Sequence, residues 1–221
     1  MIDISAKEVD GTWYGIAYIG EELVATALDS TKEEAINSLL RSIPANGEHR
    51  ILEKVSGFAE RTMLMLKELE AGNEESKRFT LASQYLPEPA EKVLRAAAAI
   101  PIGYVASYGD IAKAVDTGPR IVGRIMARNP VYPIVPCHRV VGSDFSLVGY
   151  GGGKSPRALQ AKLTRLSREA RGFTTKKGVS VNGKNLIVYP AEYVIRKARK
   201  HLPDSPYQRK PVADTKLDNT G

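Results

Sequence analysis

The chain has 221 residues, 43% of them hydrophobic, and a formal net charge of +7. This length holds one large domain or two small ones. Apolar runs of membrane-spanning length and a basic-then-apolar signal pattern are both absent, and a single cysteine excludes an internal disulfide. These features predict a soluble protein of a reducing compartment, either the cytoplasm with its nucleoid or a eukaryotic nucleus.

The three histidines, at positions 49, 138 and 201, are dispersed and form no zinc-binding spacing with the cysteine. We therefore expect no metal and no cofactor. The positive charge is uneven: residues 1–85 hold 9 basic and 15 acidic side chains, whereas residues 154–210 hold 15 basic and 3 acidic ones. This asymmetry favours a polyanionic partner such as nucleic acid, although a solvated lysine-rich surface gives the same balance.

The first third of the chain predicts a scaffold of sheet and helices. Two β-prone runs, 12–19 and 23–28, flank a Gly-containing turn and predict a hairpin. Ser30-Thr31 is typical of a helix N-cap, and a second helix is predicted from about Ile51 to Leu69. Because the segment carries no nucleophile, acid–base pair or phosphate loop, we assign residues 1–84 to an N-terminal scaffold domain.

A proline-rich junction, Pro87-Glu88-Pro89, precedes a mainly helical region that we assign to residues 85–172. An alanine-rich helix is predicted over 90–100. Two shorter helices, over 107–115 and 119–129, then flank a Gly-containing turn. This arrangement predicts a helix-turn-helix.

The second of these short helices carries Arg120, Arg124 and Arg128 at intervals of four residues, and hence on one face. An arginine row on the second helix of a helix-turn-helix is typical of DNA docking. Gly123 costs roughly 1 kcal/mol of helix propensity in this position, which indicates the close approach of a nucleic-acid backbone. An ordinary amphipathic surface helix is the alternative.

The cysteine lies in Pro136-Cys137-His138-Arg139-Val140, after an apolar stretch, 131–135, that we predict to be extended. A thiol beside an imidazole and a guanidinium is typical of a nucleophile, because the thiolate is the reactive form and such neighbours favour it. A free cysteine is more often a small buried hydrophobe. The pentapeptide alone therefore favours the buried hydrophobe, and the surrounding segments are needed to reverse this interpretation.

Glycines at positions 149, 151, 152 and 153 follow, where the backbone can approach a ligand closely, and the spacing of a phosphate-binding P-loop is absent. An amphipathic helix is predicted over 159–170. Residues 173–221 form a basic C-terminal extension, in which Asn182-Gly183 predicts a hairpin, a basic helix follows, and the chain past Pro203 is expected to be disordered. Our hypothesis is that 176–200 adds a basic surface for DNA; a packing extension is the alternative.

In this order the segments resemble the O6-alkylguanine-DNA alkyltransferases, also called methylated-DNA–protein-cysteine methyltransferases. The resemblance covers roughly residues 85–170 and rests on five motifs: Val105-Ala106-Ser107-Tyr108-Gly109-Asp110-Ile111-Ala112, Arg120-Ile121-Val122-Gly123, Asn129-Pro130, Ile134-Val135-Pro136-Cys137-His138-Arg139-Val140-Val141 and Leu147-Val148-Gly149-Tyr150-Gly151-Gly152-Gly153. It implies an α/β (α+β) fold, with a ribonuclease-H-like N-terminal domain followed by a mainly helical domain that contains the helix-turn-helix.

The resemblance also implies the chemistry. The alkyl group on O6 of a guanine in duplex DNA, and conceivably on O4 of thymine, would be transferred once and irreversibly to the cysteine after the base is flipped out. The protein would act as a monomer on double-stranded DNA, without a cofactor, a membrane or an obligate protein partner.

Individual roles follow from the same resemblance. Cys137 would be the nucleophile, His138 would deprotonate it through a water, and Glu169 would pair with His138. Asn129 would brace the adjoining turn. Arg120 would fill the space that the base vacates. The residues at the base would be Tyr108, Arg120, Met126, Val140, Tyr150 and Gly151, and those at the DNA would be Tyr108, Arg120, Gly123, Arg124 and Arg128.

Three other functions are compatible with parts of the pattern. A lesion binder without transfer activity would replace the cysteine, which this chain keeps. A helix-turn-helix regulator with a redox-sensing thiol would call for a dimer interface, which the sequence does not indicate. A Cys-His hydrolase would take its catalytic partners from distant positions in the chain and would turn over.

Overall fold

A sheet of five strands opens the fold. The computed structural model describes residues 1–45, 47–73 and 79–201. The strands of this sheet are β1 Ile2–Val9, β2 Thr12–Ile19, β3 Glu22–Asp29, β4 His49–Ile51 and β5 Thr80–Leu81. They lie in the order β4-β1-β2-β3-β5, antiparallel through the central three strands and parallel at both edges. The predicted hairpin of β2 and β3 is confirmed.

Two helices, α1 Lys32–Ser42 and α2 Gly57–Ala71, cover opposite faces of this sheet. Successive side chains of a strand point to opposite faces. Accordingly, Ala17 of β2 shares an apolar cluster with Leu39 of α1, whereas its neighbour Ile16 shares another with Leu66 of α2. The sheet is therefore buried on both sides.

The predicted start of the second helix, about Ile51, is wrong. Residues 49–51 form the edge strand β4, which pairs in parallel with residues 2–4 of β1. The helix begins six residues later, where the Ser56 side chain accepts a hydrogen bond from the backbone N–H of Ala59 at 3.2 Å. Its predicted end is confirmed, since Gly72 closes it in the left-handed conformation with φ of 84°. Strand pairing with a segment 47 residues away outweighed the local apolar periodicity.

The remaining chain is mainly helical around a small second sheet. Its elements are α3 Glu88–Ala98, β6 Tyr104–Ser107, α4 Tyr108–Ala114, α5 Pro119–Ala127, β7 Val140–Val141, α6 Pro156–Glu169, β8 Lys177–Val181, β9 Lys184–Pro190 and α7 Ala191–His201. The second sheet has the order β7-β6-β9-β8. The predicted helix-turn-helix is formed by α4 and α5, and the predicted α+β fold class is confirmed.

One apolar cluster runs from the first sheet into the helical region. It contains Leu66 of α2, Leu94 of α3, Val122 of α5 and Val140 of β7, all at most 1% exposed. The elements that carry the five motifs thus pack on the same core as the N-terminal sheet, which holds them at fixed distances from one another.

The apolar stretch 131–135 is not extended, contrary to our prediction. The backbone N–H of Val135 donates to the carbonyl of Val131 at 3.0 Å, which closes a turn, and the peptide bond between Tyr132 and Pro133 is cis. Thr26 of β3 binds this turn twice, with its N–H on the carbonyl of Pro130 at 2.8 Å and its hydroxyl on that of Tyr132 at 2.5 Å. These two long-range hydrogen bonds satisfy the carbonyls of Pro130 and Tyr132, so the segment does not need to pair with a strand to satisfy them.

The C-terminal hairpin predicted at Asn182-Gly183 is confirmed. Its second strand, β9, pairs antiparallel with β6, so that the hairpin extends the sheet beside the helix-turn-helix. The helix predicted to follow is α7, and the segment past Pro203 lies outside the described residues. None of the helices in the described part of the chain is both long and apolar enough to cross a membrane.

Candidate active site and DNA-binding face

The helix-turn-helix presents a row of arginines to solvent. Ser107 caps α4, because its hydroxyl oxygen accepts from the backbone N–H of Asp110 at 3.0 Å. Arg120 and Arg124 are exposed on α5, and Arg128, also exposed, caps the C-terminal end of that helix. Among the residues that the structure describes, none forms an ion pair with these three guanidinium groups. Their charges are free for an anionic partner.

Gly123 lies on α5 against the ring of Tyr108. A Cβ at this position would be 3.9 Å from that ring, an ordinary van der Waals distance. The packing of the protein therefore leaves room for a side chain here. The approach of a nucleic-acid backbone remains the prediction that accounts for the glycine.

Cys137 is partly exposed and opens onto a cavity of about 530 Å³ between α5 and the glycine-rich loop. Tyr108 and Met126 line the cavity on the side of the helix-turn-helix, and Tyr150 and Gly151 line it on the side of the loop. Such a volume is typical of a small-molecule site. Arg120, Gly123 and Arg124 also line it, so the cavity and the arginine row are continuous.

The thiol of Cys137 is protonated at neutral pH. Burial raises its pKa above the ordinary value, and the nearby Lys162 ammonium and a hydrogen bond with Asn129 offset only part of this effect. The cationic neighbours therefore do not by themselves make the thiolate the main form. A base must take the proton before the sulfur can react.

His138 lies behind the thiol in a buried ionic network. Its Nε2 is 2.9 Å from Oε1 of Glu169, and Arg139 binds the same carboxylate in bidentate fashion, with Nε and Nη2 each donating at 2.7 Å. All three side chains are about 3% exposed. Burial opposes ionisation of Glu169, but the adjacent His138 and Arg139 hold its pKa far below the usual range. The glutamate is thus an anion that both neighbours stabilise.

Within this network, Nδ1 of His138 is the atom suited to accept a proton. Burial lowers the pKa of His138, although Glu169 works in the opposite direction, so the ring is neutral at pH 7. Because Nε2 donates its proton to the carboxylate, Nδ1 carries the lone pair. Nδ1 is buried and has no hydrogen-bond partner among the described residues. It is therefore available to accept a proton.

Asn129 holds the turn that precedes the cysteine. Its Nδ2 donates to the carbonyl of Val135 at 2.7 Å, and its Oδ1 accepts from the N–H of Val131 at 3.1 Å. The amide thus spans the turn from inside and fixes the approach of the chain to Cys137.

Lys162 of α6 is a fully buried lysine that ties the glycine-rich loop to the strand beside the cysteine. Its Nζ donates to the carbonyls of Val140 at 2.5 Å, and of Leu147 and Gly149 at 2.9 Å. Burial lowers its pKa to about 8. All three ammonium hydrogens are used, and the loop that carries Tyr150 and Gly151 is anchored as a result.

Comparison with known proteins places this geometry in a family. Residues 88–171 match the family model described as 6-O-methylguanine DNA methyltransferase, DNA binding domain. The methylated-DNA–protein-cysteine methyltransferase of Methanocaldococcus jannaschii is 32% identical over 162 residues, which are 72% of this chain and 92% of that protein. The chain belongs to this methyltransferase family.

Other members of the methyltransferase family agree over shorter stretches or in fold alone. The Pyrobaculum aerophilum protein is 61% identical over 54 residues, 24% of this chain and 36% of that one. The Mycobacterium tuberculosis OGT in complex with DNA has a TM-score of 0.53 at 24% identity, over 76% of this chain and 95% of that one. The Pyrococcus kodakaraensis O6-methylguanine-DNA methyltransferase has a TM-score of 0.50 at 24% identity, over 76% and 99%.

The structure brings the predicted methyltransferase residues together around one cavity. Cys137, Tyr108, Arg120, Met126, Tyr150 and Gly151 line it. His138, Glu169, Asn129 and Val140 lie behind this lining, whereas Arg128 does not line the cavity and lies at the end of the exposed row.

Sequence reasoning missed several residues of the network, because their partners are distant in the chain. Arg139 was noted only as part of the pentapeptide, although it binds Glu169 thirty residues away. Lys162 reads as an ordinary basic residue of an amphipathic helix. One signal in the sequence marks Lys162 as facing inward. It lies four residues after the apolar Ala158 and directly before Leu163.

Proposed function

We propose that this chain repairs DNA by direct reversal: it extrudes an O6-alkylguanine from the duplex and transfers the alkyl group irreversibly to Cys137. One observation carries the proposal. A protonated thiol lines a cavity that continues into an exposed arginine row, and the next residue is a neutral, buried imidazole whose Nδ1 has no hydrogen-bond partner among the described residues. Membership of the methylated-DNA–protein-cysteine methyltransferase family supports the same chemistry.

Extrusion of the base comes first, because the O6 substituent cannot be reached inside a stacked duplex. Arg124 and Arg128 bind phosphates, while Arg120, at the first turn of α5 and at the edge of the cavity, fills the space that the base leaves. Gly123 lets the backbone of the strand come close. The cost of unstacking, a few kcal/mol, is offset by these ionic contacts and by burial of the base.

The extruded guanine is held by hydrogen bonds and by apolar contact. Burial raises the pKa of Tyr108, so its phenol keeps its proton and donates to the ring. The carbonyl of Val140 binds Lys162 through one lone pair and can accept from the exocyclic amine through the other. Met126 packs against the base, and Tyr150 with the N–H of Gly151 faces O6.

Transfer is a displacement at the alkyl carbon. Nδ1 of His138 takes the thiol proton through a water, and the imidazolium that forms is stabilised by the buried Glu169 carboxylate. The sulfur lone pair then forms the S–C bond as the C–O6 bond breaks, and its electrons remain on the guanine. The guanine anion regains one proton, so the reaction moves one alkyl group and one proton in opposite directions.

The reaction ends after one event. A thioether has no bond that water cleaves readily, and the chain contains no second cysteine to displace it.

The partner is double-stranded DNA, bound by a monomer. The C-terminal extension contributes through α7, on which Arg196, Arg199 and Lys200 are exposed. The basic residues of the hairpin are engaged elsewhere, since Lys177 covers the ring of Tyr104 and Lys184 pairs with Asp116. Replacing the three α7 residues with glutamine is expected to flatten the slope of log duplex affinity against log salt concentration. An unchanged slope would show that α7 does not bind DNA.

Intact-protein mass spectrometry tests the proposed function. The protein is mixed with an equimolar duplex that carries one O6-methylguanine, with Cys137→Ser as the matched control. A gain of one methylene on Cys137, restored guanine and no further turnover are expected. Tight lesion binding without a mass change would contradict transfer, and repeated turnover would identify a hydrolase instead.

A further inference from the structure

A carboxylate of the N-terminal helix α2 reaches the region of the active site. Glu70 lies near the C-terminal end of α2 and is about a quarter exposed. Its Oε2 accepts from Nη1 of Arg165 at 2.6 Å and from the hydroxyl of Tyr132 at 3.2 Å. These partners are 95 and 62 residues away in the chain, so the contact joins three separate elements.

Arg165 carries the first of these connections. It belongs to α6, the helix that also supplies Lys162 and Glu169 to the site. Burial opposes its charge, yet the hydrogen bond that it donates to Glu70 keeps the pKa of Arg165 above its ordinary value. Its guanidinium carbon lies 4.8 Å from the centre of the Tyr132 ring, so the arginine is held by the carboxylate and stacked on the phenol together.

Tyr132 carries the second connection. It lies in the turn that Asn129 spans and that leads directly to Cys137. Its ring packs edge-to-face on Tyr150 with the centres 6.3 Å apart, and on His138 with the centres 6.1 Å apart. Burial raises the pKa of Tyr132, so the phenol stays protonated and donates to Glu70.

Tyr132 does not line the cavity, whereas Tyr150 does. The phenol of Tyr132 therefore backs two groups that act in the reaction: the pocket wall and the base. An aromatic pair favours this edge-to-face arrangement of its two rings, so the position of Tyr132 influences the orientation of both partners. Glu70 holds Tyr132 in place in two ways. It accepts a hydrogen bond from the Tyr132 hydroxyl, and it orients Arg165, which stacks on the face of the Tyr132 ring.

We propose that Glu70 is a positioning residue for alkyl transfer, which acts through Tyr132 and Arg165 on Tyr150 and His138. The inference rests on the proposed function, and it gives the N-terminal region a part in the chemical step. Displacement of an alkyl group needs the sulfur, the carbon and O6 in line. A loose Tyr150 or His138 lowers the fraction of bound lesions that reach this alignment without altering the DNA-binding row, to which Glu70 makes no hydrogen bond.

Single-turnover kinetics on Glu70→Gln test this inference. The rate of alkyl transfer at saturating lesion DNA, the fraction of protein that reacts and the melting temperature are measured for each variant. The dissociation constant for lesion DNA is measured in a Cys137→Ser background. Glu60→Gln is the matched control, because Glu60 lies on the same helix and forms an exposed ion pair with Lys7.

Glu70→Gln is expected to slow transfer about tenfold, since misplacement by an ångström or less at a reacting centre has effects of this size or larger. The dissociation constant and the reacting fraction should stay within about twofold of the wild-type values, as expected for a loss that affects the transition state alone. Tyr132→Phe should slow transfer similarly, and the double variant should be no slower than either single one, because both act through one contact.

An unchanged transfer rate in Glu70→Gln overturns the inference. So does a smaller reacting fraction that transfers at the normal rate, which is the result of a merely structural role, or an equal loss in Glu60→Gln. Tyr132→Phe, which keeps the ring, decides the question if Glu70→Gln does not fold. A wild-type protein that gains no alkyl group overturns the proposed function itself.

Discussion

The charges behind Cys137 and the charges along α5 differ in how they are held. Arg139 and Glu169 are 3% exposed, with each charged group bound by the other and by a neighbour. Arg120, Arg124 and Arg128 are exposed and bind no carboxylate among the residues described. Arginine thus has a structural role behind Cys137, where it is buried in an ion pair. Along α5 its charge is exposed to solvent and can bind an anionic partner.

The difference has an energetic cause. A buried ion pair is costly to desolvate and even more costly to break, because the remaining charge has no water to stabilise it. Exposed charges cost little to change, are screened by salt and act on a partner through the field they create. We therefore expect substitutions in the buried network to change stability and rate, and substitutions of Arg124 and Arg128 to change only DNA binding.

The largest effect is expected from Glu169→Gln. It leaves Arg139 buried with a neutral partner and should lower the free energy of unfolding by about 3–5 kcal/mol. Denaturant unfolding measures this. Glu91→Gln, which breaks the exposed pair with Arg95, is the control and should cost under about 0.5 kcal/mol. Similar losses in both variants would contradict the contrast drawn above.

His138→Gln should slow transfer about 100-fold at pH 7 by removing the base. In the wild type the rate should be constant near neutrality and fall about tenfold per pH unit below the depressed pKa of His138, where the ring becomes protonated. In the variant the rate should instead rise with pH through neutrality, because the raised pKa of Cys137 leaves little thiolate. His49→Gln is the control. A His138→Gln profile that keeps the wild-type plateau near neutrality and falls at the same acid pH would assign the base elsewhere.

Lys162→Met is expected to have an intermediate effect, a loss of about 2 kcal/mol in the free energy of unfolding. Three carbonyls lose their donor, although removal of a buried charge offsets part of that cost. Thermal unfolding measures the stability, with Arg157→Met on the exposed face of the same helix as the control. A variant as stable as the control would show that the loop holds its shape without the lysine.

The smallest effect on the protein itself is expected from Arg124→Gln combined with Arg128→Gln. Stability should change by less than about 0.5 kcal/mol. The slope of log affinity against log salt should fall by about one for each arginine that binds a phosphate. Fluorescence anisotropy with unmodified duplex measures the slope, and Arg41→Gln, exposed on α1, should leave it unchanged. A large loss of stability with no change in the salt slope would show that these two arginines stabilise the fold and do not bind phosphates.

Much of the site could be predicted because its residues are close together in the chain. The proposed nucleophile and the proposed base are neighbours at 137 and 138, and the arginine row follows from helical periodicity alone. The C-terminal hairpin followed from Asn182-Gly183, which readily adopts the turn conformation that joins two strands. Predictions failed where a distant partner intervened, as at His49–Ile51, which pairs with β1, and at 131–135, which Thr26 holds in a turn.

By itself the sequence determined the family, the two hairpins and the helix-turn-helix, and it predicted the nucleophile, since these depend on local spacing, capping and composition. Only the tertiary structure decided the protonation of the site. The neutral imidazole, the anionic Glu169 and the buried Lys162 result from burial and from partners up to 31 residues away. Neither burial nor contact between distant segments is encoded in a short pattern, because both arise when the whole chain closes around one core.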